Sequence, residues 1–374
     1  MCTVAIVTVA SSWAIACTAI LGITDVPVPD DGGTGRHDAS ASSSDAAADV
    51  GPCGTEDDTH NCGHCGHDCL GGKCSKGACQ PVFLIDTDAG VSPAYLAQDD
   101  EFLYWTDIPN ETVNRTSKSS GKTKVEQQSG GARAIAVDDA ALYWGDYIGV
   151  WRCSKTACFA GEKPTLIANA SDVASLAIDD QGIYWSENGP QILAAHKYGS
   201  GETGSVLWQG DASTEFVATD GQRVYFTADD GVLHGVGVDG GEAVTTGDSD
   251  GGGDASSFGI ALNGGVVYWT VSDVSHGVIS ETPTKSLGSS TLATAQREPI
   301  AVASDGINVY WINAGNGAPN GAEIVECSIL PQCSPTVIAR GFSPLAIVVD
   351  DLAVYWTDTQ TATGDNGTLS KLAK

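Results

Sequence analysis

Leu103-Tyr104-Trp105-Thr106-Asp107 is the stretch whose reading decides the fold, because the chain repeats it. A tyrosine followed by Trp or Phe recurs as Tyr143-Trp144, Tyr184-Trp185, Tyr225-Phe226, Tyr268-Trp269, Tyr310-Trp311 and Tyr355-Trp356. Successive tyrosines lie 39, 41, 41, 43, 42 and 45 residues apart. A period near 40 is one supersecondary unit copied along an array, so the fold is read from the repeat first. Five residues before each tyrosine stands Asp99, Asp138, Asp179, Asp220, Asn263, Asp305 or Asp350. Short apolar runs flank that residue, as in Ala134-Ile135-Ala136-Val137 before Asp138 and Ala141-Leu142 after it. Two β-prone runs split by Asp or Asn predict a hairpin, since these side chains bond nearby amides and tolerate left-handed dihedrals.

Two weaker strands follow in each unit, for example Gly149-Val150-Trp151-Arg152 and Pro164-Thr165-Leu166-Ile167-Ala168. Four strands per period predict an all-β fold: a seven-bladed β-propeller of four-stranded blades. After Trp356 only one strand remains, around Thr368-Leu369-Ser370-Lys371-Leu372. The segment Pro81-Val82-Phe83-Leu84-Ile85 reads as the missing fourth strand, closing the ring and removing exposed edges. The aromatic pairs themselves read as blade packing, since such side chains bury large areas.

The motifs Tyr104-Trp105-Thr106-Asp107 and Tyr355-Trp356-Thr357-Asp358 resemble the YWTD repeats of low-density-lipoprotein-receptor propellers over residues 81–374. Asp146, Glu187 and Asn313 keep a polar group at the last motif position, whereas Ala228 and Val271 do not. The receptor propellers have six blades; seven aromatic pairs here imply seven.

Lys and Arg number 18 against 47 Asp and Glu, a net charge of −29. Nucleic acid is excluded as a partner on this balance, because phosphate binding needs clustered cations. Residues 1–24 carry no charge. Residues 1–16 read as a signal peptide, and Ala14-Ile15-Ala16-Cys17 resembles a bacterial lipobox with Cys17 as the lipid-attachment residue. A transmembrane anchor is the alternative for this stretch. Either places the body outside the cytoplasm, and the lipid reading places it at the bacterial outer membrane or cell surface. Residues 17–52, rich in Asp, Ala, Ser and Gly, predict a disordered acidic tether.

The 12 cysteines sort by position. Cys53, Cys62, Cys65, Cys69, Cys74 and Cys79 define a compact module over residues 53–79, ahead of the propeller at 80–374. With His60, His64 and His67 among them, a zinc site is one reading; three disulfides in an exported, core-poor segment is the favoured one. Cys153 with Cys158, and Cys327 with Cys333, flank the turn between strands three and four of two blades and read as hairpin disulfides.

Chemistry on the ring is sparsely signalled. His196, His234 and His276 occupy unlike positions in their blades. Asp248, Asp250 and Asp254 lie in a Gly-rich loop whose oxygens suit calcium, without the EF-hand pattern. Arg133, Arg297 and Arg340 precede innermost strands and, with His234 and His276, are the candidate ligand face. These features predict a non-catalytic surface protein binding a protein, peptide or glycan. A propeller lyase or metal-dependent hydrolase, and a purely structural envelope protein, are the alternatives.

Overall fold

The computed structural model describes residues 54, 56–85, 90–128, 130–180, 182–246, 256–272, 277–286, 288–315, 321–360 and 366–374. The signal peptide, Cys17, the tether, Cys53, His276 and the loop of Asp248, Asp250 and Asp254 lie outside these residues. No helix among the described residues is long and apolar enough to cross a membrane.

Seven antiparallel sheets follow one another along the chain, as the repeat predicts. In blade 1 the strands run Pro93–Gln98, Phe102–Asp107, Thr112–Ser117 and Thr123–Gln128, in sequence order from axis to rim. Blade 7 contains Pro344–Val349, Ala353–Asp358 and Thr368–Ala373, and its outermost strand is Val82–Phe83 from the start of the propeller. Val82 pairs with Lys371 and Phe83 with Ser370, and the Leu84 amide donates to the Leu369 carbonyl at 2.7 Å. The ring is therefore closed by main-chain bonds between its two ends. Blade 2 departs from the pattern: Glu202–Thr203, from the next blade, adds a fifth strand in parallel beside Thr165–Asn169.

The second strand of each blade is sandwiched between neighbouring sheets, so Tyr and Trp of the motif are buried on opposite faces of the same strand. Trp105, Trp144, Trp185, Trp269, Trp311 and Trp356 are among the largest buried side chains. The residue five positions before each tyrosine does more than make a turn. Asp99 Oδ1 accepts the amides of Glu101 and Phe102, while Oδ2 accepts the Tyr104 hydroxyl at 2.9 Å. The same tyrosine bond recurs at Asp138, Asp179, Asp220 and Asp305. One β-pleat period and the turn length together fix the five-residue spacing.

A second link joins adjacent blades on this hairpin face. The residue just past the third strand is Lys118, Lys155, Lys197 or Lys374 in blades 1, 2, 3 and 7. Each lysine meets the turn aspartate of the preceding blade: Lys118 with Asp350 at 2.7 Å, Lys155 with Asp99 and Lys197 with Asp138 at 2.8 Å, Lys374 with Asp305 at 2.6 Å. Burial alone would push these four carboxyls up; the lysines and the turn amides more than offset it and hold all four below the usual range. Blades 4, 5 and 6 carry Val238, Thr284 and Ile329 at the lysine position, and the carboxylate faced by Ile329 is replaced by Asn263.

The last motif residue of blade 7 behaves oppositely. Asp358 accepts the amides of Phe342 and Ser343, yet burial pushes its carboxyl up to about 6. A carboxyl raised in the folded state contributes stability fully present below its unfolded value of 3.8 and lost as pH rises through about 6. Asp358→Asn keeps an acceptor for both amides and cannot ionise. It should stabilise the protein at pH 7 by about 1–3 kcal/mol and confer no advantage at pH 4. Chemical denaturation of both proteins at the two pH values checks this; equal midpoints at pH 7 would show that the carboxylate is not strained there.

The cysteine module is held by Cys62–Cys74 and Cys69–Cys79, with Cα separations of 5.6 and 5.2 Å. Cys65 is also disulfide-bonded. The loops 62–74 and 69–79 interlock, which gives a short Gly-rich segment a fixed shape. Leu70 packs against the buried cores that contain Trp356, Leu372, Leu369 and Tyr355, so the module is seated on blade 7. Cys153–Cys158 and Cys327–Cys333 close the turns after the third strands of blades 2 and 6.

Candidate functional site

The innermost strands can be aligned by the residue that pairs with the second aromatic of each motif. That residue is Leu96, Ile135, Leu176, Val217, Ile260, Val302 or Ile347, giving seven aliphatic side chains around the axis. These residues line a central channel of about 170 Å³. One residue earlier, towards the mouth, stand Tyr95, Ala134, Ser175, Phe216, Gly259, Ala301 and Ala346. Five blades supply small residues at this level and blades 1 and 4 supply aromatics. Gly259 has a packing reason: a Cβ there would lie 2.5 Å from the Ala301 Cα of the neighbouring blade.

The mouth is polar. Arg133 pairs with Asp172 at 3.3 Å, donates to the Tyr147 hydroxyl at 3.2 Å, and has its guanidinium 5.2 Å from the Tyr147 ring centroid. Asn188 donates to the other oxygen of Asp172 at 2.8 Å. Burial pushes the Tyr95 phenol up; Arg133 opposes this, while Glu215 and Asp172 reinforce it, which places all four groups within electrostatic reach. Burial, with Asp229 nearby, also raises Glu215. The result is a hydrophobic channel whose opening carries two aromatics and one cation, with Glu215, a carboxylate that burial makes reluctant to ionise, within electrostatic reach of Tyr95.

The sequence-predicted residues distribute themselves unevenly over this face. Arg133 lines the channel opening. Arg297 and Arg340 converge instead on Glu323 of blade 6, at 3.2 and 2.7 Å, and both remain about half exposed. Two guanidinium groups thus share one buried carboxylate. His234 sits beneath the loop of blade 4, with Nε2 2.9 Å from Asp230 Oδ2 and its ring stacked on Phe226 at 5.0 Å. It is 5 % exposed, so it is a packed residue rather than one presented to a ligand. Tyr95, Phe216 and Glu215 were not singled out by sequence reasoning. Their signal is available only when innermost strands are aligned by blade, where Tyr95 and Phe216 replace small residues and Glu215 is the one acid at its level.

A second concavity opens on the hairpin face between blades 3 and 4, lined by Asp179, Asp180, Asp220, Asp239, His196 and Tyr184 among others. It coincides with the first blade junction that has no latch lysine.

No protein-family profile matches this chain, and no curated protein matches it by sequence. Solved structures do match its fold. U3-55K is 11 % identical with a TM-score of 0.61, covering 79 % of this chain and 98 % of that one. A streptogramin B lyase is 11 % identical with a TM-score of 0.57 over the same shares. The designed protein Ika8 is 13 % identical with a TM-score of 0.55, covering 78 % of this chain and 99 % of its own. At these identities the likeness shows the architecture alone. The chain is a seven-bladed β-propeller with a disulfide-rich N-terminal module.

Proposed function

We propose that this protein is a non-catalytic binding or scaffold protein with YWTD-like repeats, offering the channel-mouth face to a protein, peptide or glycan. The observation that carries the reading is the substitution pattern at the mouth: Tyr95 and Phe216 interrupt a ring of otherwise small residues, and Arg133 and Glu215 are the two charged groups in the next ring out, whose other members are Ala94, Ala174, Phe258, Ile300 and Leu345. Rigid aromatics beside an arginine are the side chains that supply most binding energy at recognition surfaces. Export to the cell surface through a lipid on Cys17 completes the proposal. The disulfides of the module and of blades 2 and 6 support it, because such bonds persist in oxidising compartments.

The test is a screen of the wild-type chain against a glycan array and a library of surface-derived peptides and proteins. Any ligand retained should bind at least about tenfold more weakly to a Tyr95→Ala/Arg133→Ala/Phe216→Ala variant of unchanged circular dichroism. Equal binding by the variant would place recognition elsewhere on the ring. In cells, Cys17→Ala should move the protein from the membrane to the soluble fraction.

A further inference from the structure

The oxidised module holds its sulfurs in an arrangement that disulfide bonding alone does not require. Cys69 and Cys79 are bonded to each other, but the Sγ of Cys62, which belongs to the other disulfide, also lies within 4.8 Å of both, and all three residues are buried. A tetrahedral zinc with Zn–S bonds of about 2.3 Å spaces its sulfurs about 3.8 Å apart, a spacing that Cys69 and Cys79 can take once their bond is reduced and that lies inside the reach of Cys62. A fourth donor stands beside them. His67 Nε2 is 3.7 Å from Cys79 Sγ, against about 3.5 Å for a sulfur and a nitrogen sharing one zinc.

The imidazole is also set in the orientation a ligand needs. His67 Nδ1 lies 2.7 Å from the Cys62 carbonyl oxygen, so it is Nδ1 that carries the proton and donates. Nε2 of the neutral ring then holds a lone pair directed at the sulfur. Such a carbonyl on the far nitrogen is how metal-binding histidines are oriented. His64 stacks on the same ring at 4.6 Å and restricts its rotation. The fourth sulfur, that of Cys74, is placed otherwise: it lies 3.0 Å from the Glu56 carbonyl oxygen, where a thiol would donate a hydrogen bond.

We propose that the module is a redox-gated zinc site, in which reduction of Cys62–Cys74 and Cys69–Cys79 creates a Cys62, Cys69, Cys79 and His67 centre for one Zn²⁺. Two equivalents of a dithiol deliver four electrons and four protons. Each dithiol closes to a cyclic disulfide as one protein disulfide opens to two thiols. Zinc then takes the place of three protons, those of Cys62, Cys69 and Cys79, and accepts the lone pair of His67 Nε2. Cys74 stays a neutral thiol bonded to Glu56. Oxidation reverses the sequence and expels the metal, because a sulfur in a disulfide is no longer a thiolate ligand. The interlocked loops bring residues 62 to 79 together in either state, by two covalent bonds or by four metal bonds.

The experiment uses the full chain, reduced with a dithiol that is then removed by gel filtration without oxygen, and Co²⁺ as the probe. One equivalent of Co²⁺ should develop the visible bands of a tetrahedral thiolate site, and Zn²⁺ should abolish them. The oxidised chain should show no such bands. Cys69→Ser and Cys79→Ser should lose the bands, and His67→Ala should weaken binding at least about tenfold. Cys74→Ser, Cys65→Ser and a Cys153→Ser/Cys327→Ser double variant should all retain the wild-type spectrum. Tryptophan fluorescence of the propeller, unchanged across the set, reports that the ring stays folded. No bands on reduction, or bands that need Cys74 or Cys65 as much as Cys79, would overturn the proposal.

Discussion

Asp138→Ala should destabilise the folded ring by about 3 kcal/mol, one of the largest effects any single polar residue outside the disulfides will show. Four donors depend on this carboxylate. Oδ1 accepts the amides of Ala140 and Ala141 at 2.9 and 2.8 Å; Oδ2 accepts the Tyr143 hydroxyl at 3.0 Å and Lys197 Nζ at 2.8 Å. The side chain of Lys197 is only 7 % exposed. Removing its partner leaves a desolvated ammonium between blades 2 and 3, and that orphaned charge, rather than the lost attraction, sets most of the cost. Asp138→Asn preserves the turn through its carbonyl oxygen but not the charge, so about half the loss is expected. Denaturant midpoints of the three proteins decide the matter; a penalty under about 0.5 kcal/mol for alanine would mean that the latch is a surface ion pair of the ordinary weak kind.

The pH dependence has a definite sign. Burial opposes ionisation of Asp138, but Lys197 and the turn amides hold its carboxyl below 3.8 in the folded state. Its contribution is present above the unfolded value and is lost as pH falls through the folded one. Lys197 is raised above 10.5, its burial outweighed by Asp138, so its share is present below 10.5 and lost as pH climbs past the folded value. The gap between wild type and Asp138→Ala should therefore be flat across neutral pH and narrow at both extremes.

The latch also shows where sequence reading stops. The tyrosine-aromatic pair and the upstream Asp or Asn have fixed spacings within one unit, so the hairpin, the blade and the ring closure at Val82–Phe83 are legible from the chain alone. The hairpin turn explains an Asp or an Asn equally well. It does not reveal that Asp138 Oδ2 bonds Tyr143 within the blade and Lys197 from the next one, since the latter pairing spans 59 residues. Sequence carries only a partial trace of it: Asn263 precedes the blade that has Ile329 in place of lysine, but Asp179 and Asp220 persist before the blades that have Val238 and Thr284. The mouth was harder still. Arg133, Arg297 and Arg340 look equivalent as residues preceding inner strands, yet one reaches the axis and two share Glu323. Loop conformation decides between those outcomes, and loops are the part of each unit that the repeat does not constrain.

Trp311→Ala is expected to cost about 3–5 kcal/mol, enough to threaten the ring as a whole. Its indole is fully buried between blades, packed with Tyr268, Val302 and Val325. Deletion removes both the transferred apolar area and the contacts of every atom facing the new cavity. Because each blade touches only its neighbours, damage at one junction weakens the two blades that flank it, and a closed ring has no other way to hold its ends together. Trp311 also donates Nε1–H to Gln296 Oε1 at 3.0 Å, an oxygen that Asn313 shares. Trp144 occupies the same blade position and is equally buried, but its Nε1 has no hydrogen-bond partner among the described residues. The two sites separate packing from hydrogen bonding. Trp144→Phe loses volume while relieving an unsatisfied donor; Trp311→Phe loses similar volume and a satisfied bond. The second should be worse by about 1 kcal/mol in thermal or denaturant unfolding. Equal losses at the two sites would show that the indole bond adds nothing and that volume alone holds the blades together.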